Sequence, residues 1–168
     1  MKAADRKIDT IMTKYDSGEK MEKYAACKNA KGELLREGKY VLWSEEGVKV
    51  LECEYKNNQK NGSYTTYYAS GQKEVEAFYK DDKPDSLMKW WFPNGIEQKE
   101  ERYKNGNRNG QFWEYYDNGK IKCEGNYVNG MLDGVLKEYF QNGDPKLLRE
   151  YKMGKVIREQ VEFKKKSR

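Results

Sequence analysis

Histidine is absent from the 168 residues, and cysteine and proline occur only three times each. Without histidine the usual general base, the Ser-His-Asp and Cys-His arrangements and imidazole metal ligands are all excluded. Cys27, Cys53 and Cys123 are odd in number and widely spaced, with no Cys-x-x-Cys pair. They supply neither a complete disulfide framework nor a zinc signature, and they read as reduced, half-buried thiols of a cytoplasmic protein. No apolar run approaches the ~18 residues that a membrane-spanning helix needs. The opening MKAADRKIDTIM is basic but has no apolar core, so it does not read as a signal peptide. The alternative is an exported protein whose signal is not part of this sequence.

Aliphatic residues are also scarce. Apolar residues make up 36% of the chain and charged residues another 36%, with a mean hydropathy of −1.18. What is abundant is aromatic: 14%, including 14 Tyr and 4 Trp, which argues against disorder. A chain rich in Tyr and Lys suits a thin, solvated sheet in which amphipathic aromatics are the packing material. The net charge of +5 is spread along the chain, except for the terminal FKKKSR, which reads as a solvated tail.

Glycine carries the organising signal. Gly47, Gly71, Gly95, Gly119 and Gly143 lie 24 residues apart. Four residues before each stand Trp43, Tyr67, Trp91, Tyr115 and Tyr139, and eight after stand Tyr55, Tyr79, Tyr103, Tyr127 and Tyr151. Five after stand Glu52, Glu76, Glu100 and Glu124, then Leu148, while nine before stand Gly38, Gly62, Ser86, Gly110 and Gly134. Each unit reads as strand, tight turn, strand, return loop. Asn-Gly at three tips predicts two-residue type I′ turns with positive φ at both central residues. Residues 38–158 therefore form five hairpin repeats. Residues 1–37 read as a degenerate copy built around Gly18, with room for a short helix over 4–15 that would cap the first edge. Residues 159–168 read as a basic tail.

This pattern, Gly-x-x-x-x-[Trp/Tyr]-[Tyr/Phe]-x-Asn-Gly-x-x-x-x-Glu-x-x-Tyr, resembles the MORN repeat. More narrowly it resembles the bacterial variant in proteins labelled YwqK-type antitoxins. The resemblance covers 38–158 well and 10–37 loosely, with Ser86, Leu148 and the loop DDKPDS as departures. It implies an all-β fold, an elongated open antiparallel β-meander of 24-residue hairpins, used for contacts with proteins or membrane surfaces. A partner toxin encoded nearby is the partner that the narrower label implies.

Strand alternation sorts the rows onto two faces. One face is expected to be packed, with Tyr40, Tyr64, Met88, Phe112 and Leu136 beside the Tyr55-to-Tyr151 row. The other carries Trp43, Tyr67, Trp91, Tyr115 and Tyr139 beside Glu52, Glu76, Glu100 and Glu124. This second face is either a structural ladder, in which Glu pairs with Lys, or a docking surface of hot-spot composition.

Carboxylates ~10 Å apart along such a ladder do not make a glycosidase pair, and GNRNG lacks the ending of a phosphate loop. Enzyme activity, cofactors and metals are not expected. Two functions remain: a scaffold that binds a partner protein, antitoxin-like, and a polyanion binder that holds nucleic acid or acidic lipid through Lys and aromatic rows.

Overall fold

The structure, a computed structural model, describes residues 7–161. Among them there are fifteen strands and no helix, and neighbouring strands run antiparallel in meander order. The chain divides into two units at Lys83/Pro84. The first holds β1 (Asp9–Lys14), β2 (Lys20–Lys28), β3 (Leu34–Trp43), β4 (Lys49–Lys56), β5 (Gln59–Tyr67) and β6 (Lys73–Lys80). The second holds β7 (Lys83–Trp91), β8 (Glu97–Lys104), β9 (Asn107–Arg108), β10 (Gly110–Tyr115) and β11 (Ile121–Val128). It continues through β12 (Met131–Leu132), β13 (Gly134–Tyr139), β14 (Pro145–Lys152) and β15 (Lys155–Val161). The two-residue strands β9 and β12 pair with β8 and β11, beside the main order β7-β8-β10-β11-β13-β14-β15.

Among the described residues no helix caps the N-terminal end. Residues 9–14 are β1, paired with β2. The β-branched Thr10, Ile11 and Thr13 favour a strand once β2 offers a ladder, and Ile11 and Thr13 fall on the half-buried side. Residues 4–6 lie outside the described residues. At the other end Glu159, Gln160 and Val161 belong to β15 rather than to a tail, and 162–168 lie outside the described residues.

The turns differ from the expected type. At the tip after β10, Gly119 N donates to Tyr116 O at 2.9 Å and Tyr116 N donates to Lys120 O at 2.8 Å. Gly119 has φ of 80°, and Asn118 has no positive φ. This is a three-residue loop: a type I turn closed by a left-handed glycine. The cause is local. Asn94, Asn118 and Asn142 each accept the amide two residues on, at 3.0–3.1 Å, which competes with the two-residue turn. The paired positive φ values appear instead at the return loops: Asn57 and Asn58, Asp81 and Asp82, Asn105 and Gly106, Asn129 and Gly130, Met153 and Gly154.

The longer loop moves the register by one residue, and an irregularity just past each tip moves it back. Glu114 therefore pairs with Cys123, Trp113 with Glu124 and Phe112 with Gly125. The two faces are those the alternation predicts. The core lies on one of them: Tyr40, Cys53, Ala77, Phe112 and Leu136 are buried there. Tyrosines eight residues past the tips cover this layer, with ring centroids 5.7 Å apart for Tyr40–Tyr55, 5.1 Å for Tyr64–Tyr79 and 4.8 Å for Phe112–Tyr127. Phe140, which alternation also places on this face, stands 42% exposed just past the end of β13.

Candidate binding surfaces

The aromatic row and the glutamate row do share the face opposite the core. In the first unit the Tyr67 hydroxyl donates to Glu52 Oε2 at 3.3 Å, and Lys49 Nζ lies 2.9 Å from the same oxygen. Lys49 also sits 5.4 Å from the Tyr67 ring centre, and Lys20 sits 6.0 Å from that of Trp43. Glu76 pairs with Lys73 at 2.6 Å. The Lys49 hydrogen bond, helped by the Tyr67 hydroxyl, holds the Glu52 carboxyl below its ordinary value.

The second unit repeats the arrangement. The Tyr139 hydroxyl and Lys137 Nζ both donate to Glu124 Oε1, at 2.8 and 3.0 Å. Burial pushes the Glu124 carboxyl up, but these two donors outweigh it and the net shift is downward. Lys89 bridges Glu97 and Glu100, each at 2.9 Å, and the hydrogen bonds to Glu100 and Glu97 raise its ammonium to about 12. Trp91, Tyr115 and Tyr139 are half-buried at the ends of β7, β10 and β13. In this unit the sheet brings Glu100 and Glu124 to the same face, while Leu148 ends the acid row opposite Lys137.

The core face carries a row that the glycine and aromatic periodicities did not expose. Arg36 lies over the rings of Tyr24, Tyr40 and Tyr55 at 5.2–5.5 Å. Lys60 lies over Tyr64 and Tyr79 at 5.2 and 4.9 Å, and Arg108 over Tyr127 at 5.2 Å. Arg36, Lys60 and Arg108 share one position of the 24-residue period, so the spacing was there to be read. Each unit thus contains cations layered on tyrosine rings.

In the second unit this face opens into a cavity of about 630 Å³. Trp90 and Phe92 from β7 and its tip, Lys99 and Glu101 from β8, and Glu114 and Tyr116 from β10 and its tip line it. Glu101 is 1% exposed. The Tyr103 hydroxyl donates to its Oε2 at 2.7 Å, and burial followed by that bond raises the Tyr103 phenol. Lys99 Nζ and Arg108 Nε stand 2.7 and 3.3 Å from its Oε1, yet no donor is aligned on that oxygen. Tyr115 is the aromatic-row residue that also borders the cavity, whereas Trp91 does not.

Three stretches of the chain, residues 60–81, 108–129 and 132–153, match the MORN repeat variant. They keep the 24-residue period and support a MORN repeat protein; residues 84–105, which include Trp90, Lys99 and Glu101, lie outside them. No curated protein matches the chain. A solved structure, a protein of unknown function from Bacteroides fragilis, is similar over 95% of this chain and 94% of its own, at 10% identity and a TM-score of 0.21. A superposition that poor informs neither fold nor function.

Proposed function

We propose that the chain is a non-catalytic repeat scaffold that binds a partner protein, antitoxin-like, through the aromatic–glutamate face of its second unit. Pre-organisation of that face is the observation that supports it. Trp91, Tyr115 and Tyr139 recur on alternate strands, ~10 Å apart. Tyr139 is already fixed by its hydrogen bond to Glu124. A half-exposed aromatic fixed as Tyr139 is loses little entropy on docking, and central Trp and Tyr residues dominate many interfaces. Hydroxyl-bound Glu124 and the Lys-bridged Glu97 and Glu100 make a polar flank.

Affinity capture from the source organism, followed by titration of the captured protein, tests this reading. Trp91→Ala should weaken binding at least tenfold, or about 1.4 kcal/mol, with the fold retained by circular dichroism. Phe92→Ala, on the core face, should chiefly lower Tm. Unchanged affinity in a folded Trp91→Ala protein refutes the face assignment.

A further inference from the structure

We infer that the cavity around Glu101 is a binding site for a neutral carbohydrate, distinct from the protein-docking face, with which it shares Tyr115. The repeats supply the control. The position of Glu101 is held by Cys53 and Ala77 in the first unit, by Gly125 in the next repeat and by Arg149 in the last. The position of Lys99 is held by Leu51, Val75, Cys123 and Leu147, and that of Trp90 by Leu42 and Thr66 in the first unit and by Glu114 and Glu138 in the second. Small residues fill the Glu101 place in three of the four other repeats, and Leu, Val or Cys fills the Lys99 place in all four, so the fold does not require a buried carboxylate here. Burying one costs stability unless it is fully paired and hydrogen-bonded, and Glu101 Oε1 has cations near it but no donor in line. One repeat has exchanged packing for a buried carboxylate held between two cations.

The chemistry of the walls selects the ligand. Three carboxylates and three cations border the cavity. Five of these six interlock: Lys99 touches Glu101 at 2.7 Å and Glu114 at 3.6 Å, Lys122 reaches Glu114 at 3.6 Å, and Arg108 reaches Glu101 at 3.3 Å. The sixth, Asp117, accepts from Gln141 Nε2 at 3.1 Å. With the signs alternating and mutually neutralised, neither end of the cavity forms a pole for an anion, a cation or a zwitterion. Donors and acceptors alternate beside the aromatic rings of Trp90, Phe92 and Tyr116. A sugar matches this pattern: its hydroxyls both donate and accept, and its C–H faces lie against aromatic rings. A free volume of about 630 Å³ falls within the usual ~300–1,000 Å³ of small-ligand pockets.

Binding of the full chain to an array of neutral mono- to tetrasaccharides, followed by calorimetry with the best glycan, tests the inference. The key variant is Lys99→Val with Glu101→Ala, which installs the residue types of Val75 and Ala77. It should keep or raise Tm and lose at least tenfold in glycan affinity. Trp90→Leu, the residue type of Leu42, should do the same, while Trp91→Ala should bind the glycan as the parent does. The inference is overturned if no neutral glycan binds, if the double variant binds as tightly as the parent, or if it unfolds. A cavity that instead loses partner-protein binding in these variants, with no glycan bound, is a protein-anchor pocket, which also overturns it. Failure of the docking face leaves Trp91 without effect on the partner, a result separable from all of these.

Discussion

Gly119 shows how a single dihedral angle fixes a hairpin. Its φ of 80° lies in the left-handed region, and a Cβ there would meet only Ile96 Cγ2 at 3.8 Å. The cost of Gly119→Ala is therefore conformational, about 1 kcal/mol, and urea unfolding should read it. Ser86 is the complementary case. It stands where the other repeats have Gly38, Gly62, Gly110 and Gly134, and it adopts φ of 81° nonetheless. Ser86→Gly should stabilise by about 0.5–1 kcal/mol, the strain relieved less the added chain entropy, and an unchanged unfolding midpoint would refute that. Gly125 is constrained by space instead. A Cβ would come within 2.8 Å of Phe112 Cε1 and 3.0 Å of Leu136 Cδ1, so Gly125→Ala should destabilise by about 1–3 kcal/mol. The left-handed glycines at the tips were legible because a period of 24 repeats them. The turn type was not, because the Asn side chains that decide it act through hydrogen bonds to the amides two residues on.

Between strands, coupling comes from two devices with a 24-residue period. Each return turn is clipped to the short strand that follows the previous return turn: Gly130 N donates to Arg108 O in β9 and Gly154 N to Leu132 O in β12, each at 2.8 Å. Side chains twenty residues upstream add a second clip, as where Asp133 Oδ2 accepts from Met153 N at 3.1 Å. The other device is the layering of Arg36, Lys60 and Arg108 on tyrosine rings. Arg36→Ala removes three such contacts and the cover its stem gives, so thermal unfolding should show a loss of about 1–3 kcal/mol. Arg36→Lys should recover part of it, and an unshifted melt in both would contradict the packing role. The paired strands, their order and their faces were legible from alternation, since the register shift at each tip is cancelled within the same hairpin. The cation row was not, because a charge interspersed along a strand reads as solvated until the rings beneath it are placed. The Glu101 cavity was hidden similarly: residue types show that one repeat departs from its neighbours, but only the pleat brings Trp90, Lys99, Glu101 and Glu114 to one opening.

For the whole molecule, the charge rows set how stability varies with pH. Glu52 and Glu124 have folded carboxyl values below the ordinary 4.5, so their contribution is present above that value and is lost as pH falls through the lower folded values. Lys89 has the opposite sign. Its contribution is present below the ordinary 10.5 and is lost as pH rises through about 12. The Tyr139 phenol is raised by burial and by its bond to Glu124, and so weakens the fold in the same alkaline direction. Urea midpoints measured from pH 3 to 12 should therefore form a plateau that falls on both sides. Replacing Lys89 with Met should reduce the alkaline fall, and an identical profile would refute its assigned part. Protein docking and polyanion binding differ in how they respond to salt, because phosphate contacts release counterions and weaken steeply. The most direct measurement of the central claim is the affinity of the captured partner for the parent, Trp91→Ala and Phe92→Ala proteins, each confirmed folded and titrated at two salt concentrations. The aromatic–glutamate face as docking surface predicts at least tenfold weaker binding for Trp91→Ala at both concentrations and near-parent affinity for folded Phe92→Ala. Parent-like binding by Trp91→Ala, or an affinity that collapses with salt, would contradict it.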